Sequence, residues 1–228
     1  MKNTLRSFAH SVAGLAAFTL LVACGSGQPA EAQNPPRSTV GLAPANAAGL
    51  AQATFAGGCF WAQEEVFEEL KGVKQVVSGY AGGTKANPTY EEVSAKNTGH
   101  TEAVVVYYDP KLISYQTLAD VFFRAAHDPT QLGRQGYDVG PEYRSVAFYR
   151  TPEEKKTLEA TIARVNASKQ YPAKVVTEVL PLTKFWPAED YHQGYFRLHP
   201  ENPYISNVSQ KKVDHVRQEF PQLLKQPL

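Results

Sequence analysis

The 228-residue chain is poor in cysteine, with only Cys24 and Cys59, and this scarcity limits its chemistry. An intramolecular disulfide is not expected because Cys24 falls in a segment with the character of a leader. The six histidines do not form a metal-ligand spacing with Cys59, and neither His-Glu-x-x-His nor Cys-x-x-Cys occurs. Gly-x-Gly-x-x-Gly and phosphate-loop patterns are also missing. We therefore predict no metal site and no nucleotide cofactor.

An excess of charge of either sign is also lacking, since 23 basic residues face 22 acidic ones. Segment 1–23 contains Lys2 and Arg6 and no acidic residue, so its removal leaves 21 basic against 22 acidic residues. Proteins that bind nucleic acid or an anionic membrane surface by electrostatics carry a basic excess. Neither kind of partner is expected from this balance.

The N-terminal segment has the pattern of an export signal. Lys2 and Arg6 precede an apolar run over residues 12–23 that is too short to span a bilayer. The run ends in Leu-Val-Ala-Cys at 21–24, which resembles the lipobox of bacterial lipoproteins. We predict a lipoprotein signal peptide over 1–23, lipidation of Cys24, and anchoring at the periplasmic or extracellular face of a bacterial membrane. An ordinary signal peptide cut nearby is the alternative, and it would leave Cys24 lost or as a spare thiol.

Composition divides the remaining chain into two parts. Residues 24–50 are rich in Gly, Pro, Ala, Gln and Asn, with few large apolar side chains to offset the entropy of ordering, and we predict a flexible tether. Residues 51–228 contain aromatic and β-branched residues in the amount expected for one compact domain. This region is predicted to carry the activity.

Hydrophobic periodicity predicts mixed secondary structure. We expect strands at 52–55, 73–80, 101–108, 145–149 and 175–180, and helices from 59 to about 70, 114–126, 152 to about 168, and 208–220. The order favours an α+β fold, a two-layer α/β sandwich with a mixed sheet. The long irregular stretch at 127–144, rich in Gly and Pro, is expected to line the active site.

Cys59 is the candidate nucleophile. It follows Gly57 and Gly58 where a strand is predicted to turn into a helix. Backbone N–H groups at a helix N-terminus favour a thiolate, and the two glycines are expected to leave the sulfur open. Phe60 and Trp61 could form a small hydrophobic pocket beside it, or could simply pack into the core.

Three further residues are candidates for proton donation or hydrogen bonding. Glu102 opens the most apolar strand, on the face that also carries Val104 and Val106, so burial could keep its carboxyl protonated near neutral pH. An exposed glutamate at a strand end is the alternative. Tyr90 and Tyr143 flank loops and could bind a polar group of a substrate, although most tyrosines at such positions are half-buried structural residues.

Seven sequence blocks together resemble the peptide methionine sulfoxide reductase A family. They are GGCFW (57–61), SGYAGG (78–83), NPTYEEV (87–93), TGHTEAV (98–104), YDP (108–110), GRQGYDVGPEYRS (133–145) and FWPAEDYHQGY (185–195). The resemblance runs in order from about residue 54 to 204. It leaves out the leader, the tether and the last two dozen residues.

The resemblance implies reduction of the S epimer of methionine sulfoxide, free or within proteins, on that family's α+β roll. The family's nucleophile falls on Cys59 and its acid on Glu102. Its substrate-orienting groups fall on Tyr90, Asp138 and Tyr143, and its hydrophobic pocket on Phe60 and Trp61.

The chain departs from many members of the family after residue 204, where those proteins carry one or two resolving cysteines and this chain has none. An oxidised Cys59 would therefore need an external thiol, such as a thioredoxin-like protein. A monomer is expected.

Two other functions stay open at this point. A cysteine hydrolase would pair Cys59 with a histidine base and attack an acyl carbon, with His100, His127 and His192 as candidates. A lipid-anchored module that binds methionine-rich partners would need no nucleophile at all.

The lipobox predicts a simple fractionation result. Cys24→Ala removes the lipid-accepting sulfur, so the protein is expected to move from the membrane fraction to the soluble fraction with its activity unchanged. Fractionation of cells producing each form measures this. A Cys24→Ala protein that stays with the membrane would contradict the lipobox.

Overall fold

The computed structural model describes residues 47–225, which contain eight strands and six α-helices. The strands are β1 (Ala51–Gly57), β2 (Val73–Ala81), β3 (Thr101–Tyr108), β4 (Arg134–Gln135), β5 (Asp138–Val139), β6 (Ser145–Tyr149), β7 (Glu178–Pro181) and β8 (Phe185–Pro187). The helices are α1 (Phe60–Glu68), α2 (Tyr90–Ser94), α3 (Tyr115–Val121), α4 (Pro152–Ser168), α5 (Tyr195–Leu198) and α6 (Gln210–Glu219). The predicted leader, the lipidation site and almost all of the tether lie outside the described residues.

Six of the strands form one mixed sheet in the order β7-β6-β1-β3-β2-β8. Neighbouring strands are antiparallel except β6 and β7, which run parallel. β4 and β5 form a separate two-stranded hairpin. The predicted α+β class with a mixed sheet is confirmed.

Strand β3 lies near the middle of the sheet, and its alternation sorts side chains between the two faces. Val104 and Val106 join the larger apolar cluster, which also contains residues of α1, α3 and α6. Ala103 and Val105 join a smaller cluster on the other face. Glu102 shares the parity of Val104, so its side chain points toward the helices and is buried.

Helix α1 is fixed by buried polar side chains as well as by its apolar face. The Gln63 amide donates to the carbonyls of Gly57 and Ala126, at 3.1 and 2.8 Å. The Glu64 carboxyl accepts from the Ser78 hydroxyl and from the backbone N–H of Gly194, each at 2.7 Å. These bonds set the start of α1 against the sheet and against the loop that precedes α5.

Several elements differ from the sequence predictions. Strand β7 begins at Glu178 rather than 175, because the backbone N–H of Val175 bonds the Asn166 side chain and that of Val176 bonds the Pro129 carbonyl. Helix α3 ends at Val121 and continues as a π-helical turn over Phe122–Ala126. The short elements α2, β4, β5, β8 and α5 were not predicted, since two to five residues are too few for a periodic pattern.

The predicted C-terminal helix is present as α6, preceded by a π-helical turn over Ile205–Ser209. The stretch predicted to be irregular at 127–144 contains the β4–β5 hairpin and a 3₁₀ turn over Pro141–Tyr143. Within residues 47–225, no helix has the length and apolar character needed to cross a bilayer.

Candidate active site

Cys59 occupies the N-cap position of α1, directly after β1. The turn between them uses Gly58 at φ +89°, a conformation that side chains with a Cβ rarely adopt. A methyl group at Gly58 would also lie 2.7 Å from the Cβ of Gln135. The glycine therefore lets the loop that follows α3 approach the nucleophile closely.

The sulfur of Cys59 is enclosed, with the residue only 6% exposed. Its hydrogen-bond partners are the backbone N–H of Trp61 and the hydroxyl of Tyr204. The expectation of an open sulfur is therefore wrong. The two glycines bring the loop up to the cysteine instead of leaving space beside it.

The predicted thiolate at rest is also wrong. Burial raises the pKa of the Cys59 thiol well above its ordinary value, and Glu102 raises it further when its carboxyl is ionised. The positive charge of Lys212 and the Trp61 N–H act in the opposite direction without cancelling the shift. Cys59 is a neutral thiol at neutral pH until a reaction partner draws its proton away.

Glu102 lies in the same enclosed space and is 3% exposed. Its Oε2 accepts a hydrogen bond of 2.9 Å from the backbone N–H of Phe60, the first residue of α1. Burial raises the pKa of Glu102 to about 8, although the Phe60 N–H favours the ionised form. The carboxyl is therefore mostly protonated at neutral pH, as a proton donor requires.

Asp138 reaches the site from β5 and bonds residues from the C-terminal part of the chain. Its Oδ2 accepts from the Tyr204 hydroxyl at 2.7 Å and lies 3.6 Å from the Lys212 Nζ. Because the Tyr204 hydroxyl also bonds Cys59, Asp138 is connected to the nucleophile through a single side chain.

Tyr90 and Tyr143 both lie near the thiol and the Glu102 carboxyl, which contribute to their pKa shifts. Burial is the main cause that raises the pKa of each phenol, so both remain hydrogen-bond donors across the physiological range. The backbone N–H of Tyr90 donates to Glu189 at 3.0 Å, and its hydroxyl bonds Ser94. Both phenols approach the site from segments other than α1, since Tyr90 begins α2 and Tyr143 ends a 3₁₀ turn.

The two aromatic residues after Cys59 differ in burial. Phe60 is 1% exposed and packs on Tyr80 and His192. Trp61 is half-buried and stacks on Tyr195 at 3.9 Å between ring centroids. Its Nε1–H donates to His192 Nδ1 at 3.1 Å, which fixes the indole plane.

The three histidines considered as a hydrolase base are engaged elsewhere. His100 accepts from the Gly83 N–H and bonds the Lys85 carbonyl. His127 bonds the Phe122 carbonyl and the Ser145 hydroxyl, at 2.8 and 2.6 Å.

His192 accepts from Trp61, and burial lowers its pKa to about 4. None of these histidines bonds Cys59, so the geometry does not support a Cys/His pair. Among residues 47–225, no cluster of His, Cys, Asp or Glu side chains could hold a metal ion.

Sequence reasoning missed Tyr204 and Lys212 as members of the site. Tyr204 stood at the end of the stretch of resemblance, beyond the last recognised block at 185–195, and Lys212 lay in the tail that the resemblance left out. Their place depends on the packing of α6 beside α1, which no local pattern encodes. The place of Tyr204 at the end of the stretch of resemblance was its only signal in the sequence.

Comparison with known proteins shows the family of the chain. A family model described as "Peptide methionine sulfoxide reductase" matches residues 51–224, so the similarity reaches through α6 and the expected limit near residue 204 is wrong. The MsrA protein of Pasteurella multocida is 47% identical over 174 residues, which is 76% of this chain and 98% of that protein. MsrA 2 of Synechocystis sp. is 44% identical over 179 residues, 78% of this chain and 84% of that protein.

Two solved structures also align with most of this chain. Methionine sulfoxide reductase A of Corynebacterium diphtheriae aligns with a TM-score of 0.62 and 33% identity, over 73% of this chain and 82% of that one. The reduced form of Mxr1 from Saccharomyces cerevisiae aligns with a TM-score of 0.62 and 31% identity, over 68% of this chain and 88% of that one.

Because Glu102 is buried, the difference in stability between the wild type and Glu102→Gln is expected to depend on pH. A carboxyl whose pKa is raised from 4.5 to about 8 on folding stabilises the native state fully below pH 4.5, and this contribution is lost as the pH rises toward 8. Glu102→Gln keeps an acceptor for the Phe60 N–H and cannot ionise. Its stability relative to the wild type should therefore increase between pH 5 and pH 9.

Urea denaturation of both proteins at several pH values measures this difference. Glu153→Gln, at an exposed position in the first turn of α4, serves as the control because it also removes a single carboxylate but lies outside the buried site. A stability difference between wild type and Glu102→Gln that does not change with pH would contradict the neutral carboxyl.

Proposed function

The chain belongs to the peptide methionine sulfoxide reductase family, and on that premise we propose that it reduces the S epimer of methionine sulfoxide, free or in proteins. The observation that carries the proposal is the pairing of Cys59 and Glu102 in one enclosed site. The Phe60 N–H holds the carboxyl directly beside the start of α1, where the thiol stands.

The protonation of the site matches the chemistry of a sulfoxide. The Cys59 sulfur attacks the sulfoxide sulfur while Glu102 gives a proton to the sulfoxide oxygen, which makes the S–O bond easier to break. In the net step that bond breaks and an S–O bond forms at Cys59, as the thioether is released. The thiol proton replaces the one that Glu102 gave, so the site ends with Cys59 as a sulfenic acid and Glu102 neutral.

The surrounding rings fit a thioether better than a strongly polar group. Trp61 is held by His192 and Tyr195, which presents its half-buried indole beside the nucleophile. We assign the sulfoxide methyl to this side of the site. Tyr90, Tyr143 and Asp138 are proposed to orient the polar part of the substrate. The phenols of the two tyrosines stay protonated and can donate hydrogen bonds.

Recycling requires a thiol from another molecule. Cys59 is the only cysteine among the described residues, and Cys24 is the only other one in the sequence. An external thiol attacks the sulfenic sulfur, releases water and forms a mixed disulfide, and a second thiol then frees Cys59. A thioredoxin-like protein supplies both thiols in one molecule, and we propose it as the reductant.

We further propose that the enzyme is exported and anchored by a lipid at Cys24. The leader pattern and its Leu-Val-Ala-Cys ending support this location. Fractionation of the Cys24→Ala variant tests it independently of the active site.

The activity is tested by incubating the protein with each separated epimer of methionine sulfoxide and dithiothreitol. Loss of the S epimer alone is expected. Cys59→Ser should abolish turnover, and Glu102→Gln should slow it by roughly 100- to 10,000-fold, the usual range for a lost general acid.

The reductant is tested by replacing dithiothreitol with thioredoxin, its reductase and NADPH, which should sustain many turnovers. His100→Gln is a control for the hydrolase alternative, since its ring lies in a separate hydrogen-bond network and the reductase rate should be retained. Binding of sulfoxide peptides without turnover by the wild type would contradict the proposal and favour a binding module.

A further inference from the structure

Lys212, in the first turn of α6, places a buried cation at the active site. Its Nζ is inaccessible to solvent and donates no hydrogen bond to any residue between 47 and 225. The nearest carboxylate oxygen is Asp138 Oδ2, at 3.6 Å, which is an ion-pair distance rather than a hydrogen bond.

The ammonium group also lies against the turn that carries the nucleophile. A methyl group placed on Gly58 would be 3.2 Å from Nζ, so Nζ borders the residue immediately before Cys59. Neighbouring Val213 is fully buried in the main apolar cluster, which fixes this part of α6 and with it the root of the Lys212 side chain.

Such a cation is expensive for stability alone. Removing an ammonium group from water costs several kcal/mol unless hydrogen bonds and a close counter-ion replace the lost hydration, and apolar side chains of similar volume are often as stabilising. Here one carboxylate is near, and the ammonium makes no hydrogen bond within residues 47–225. This cost suggests that the charge serves the reaction.

We propose that Lys212 is a positioning residue for the sulfoxide reduction, acting in two ways. Its ammonium holds the Asp138 carboxylate and, through it, the Tyr204 hydroxyl against the Cys59 sulfur. Its positive charge also offsets the negative charge that develops on this sulfur during attack. The role of Lys212 during attack on the sulfoxide rests on the proposed function, whereas its effect on the resting thiol does not.

The electrostatics of the neighbouring groups agree with this role. The charge of Lys212 lowers the pKa of Cys59, against the larger effect of burial, and also lowers the pKa of Glu102. The titratable groups around the thiol and the ammonium are Tyr90, Glu102, His127, Asp138, Glu142, Tyr143 and Tyr204. Asp128, Lys211 and His215 lie around an adjoining cavity. Of these charged groups, Lys212 is the cation that lowers the pKa of both reacting residues.

The test measures the Cys59 thiol directly, in a Cys24→Ala background where it is the single cysteine. The rate of alkylation by iodoacetamide is followed against pH for Lys212→Met, Lys212→Arg and the parent. Loss of a cation near a thiol is expected to raise its apparent pKa by about one unit or more, and arginine should restore most of the shift. Lys211→Met removes the same charge from the adjacent exposed lysine on α6, which lines the adjoining cavity, and should shift the thiol pKa much less than Lys212→Met does.

A single-turnover measurement with the S epimer gives the second readout. A rise of about one unit in the thiol pKa reduces the thiolate fraction about tenfold, but the remaining thiolate is about threefold more nucleophilic. Lys212→Met should therefore slow sulfoxide reduction about threefold or more without weakening substrate binding. Thermal unfolding of each variant identifies simple loss of structure, and Lys212→Gln replaces Lys212→Met if the latter does not fold.

Two results would overturn the inference. One is a folded Lys212→Met protein with the parent's alkylation profile and turnover rate, and the other is an equal shift in Lys211→Met. A parent protein that reduces no sulfoxide, while Lys212→Met still shifts the thiol titration, would contradict the proposed function and support the electrostatic role of Lys212.

Discussion

The hydrogen bond from the Phe60 backbone to Glu102 is the constraint on which the site depends. It ties the first residue of α1 to the middle of the sheet, so the cysteine before the helix and the carboxyl on β3 are held in fixed relation. The same N–H belongs to the positive end of the helix, which would stabilise an anion. Burial has the larger effect, and the carboxyl remains neutral near pH 7.

The burial of Cys59 and Glu102 explains why the site can supply a proton and why the thiol needs a positively charged neighbour. A thiol and a carboxyl in one desolvated space both keep their protons, which suits a reaction that must remove an oxygen atom from sulfur. The same enclosure disfavours the thiolate that attacks. Tyr204, Trp61 and Lys212 compensate at the moment of attack, through hydrogen bonds to the sulfur from the first two and through charge from the third.

Much of this arrangement could be predicted from local patterns, and the remainder depends on long-range packing. The alternation of β3 identified the buried face that carries Glu102, and the Gly-Gly-Cys turn identified the start of α1. The exposure of Cys59 could not be predicted, because the loop around Gln135 closes over Gly58 from 77 residues away in sequence. Tyr204 and Lys212 were missed for the same reason, since α6 meets α1 only in the folded chain.

The neutral state of Glu102 beside the thiol is measured most directly by carbon NMR of the protein labelled at the glutamate carboxyl. The Glu102 resonance is assigned by its loss in Glu102→Gln and followed against pH. A buried, neutral Glu102 predicts a midpoint of about 8. A midpoint near the ordinary value of 4.5 would contradict it.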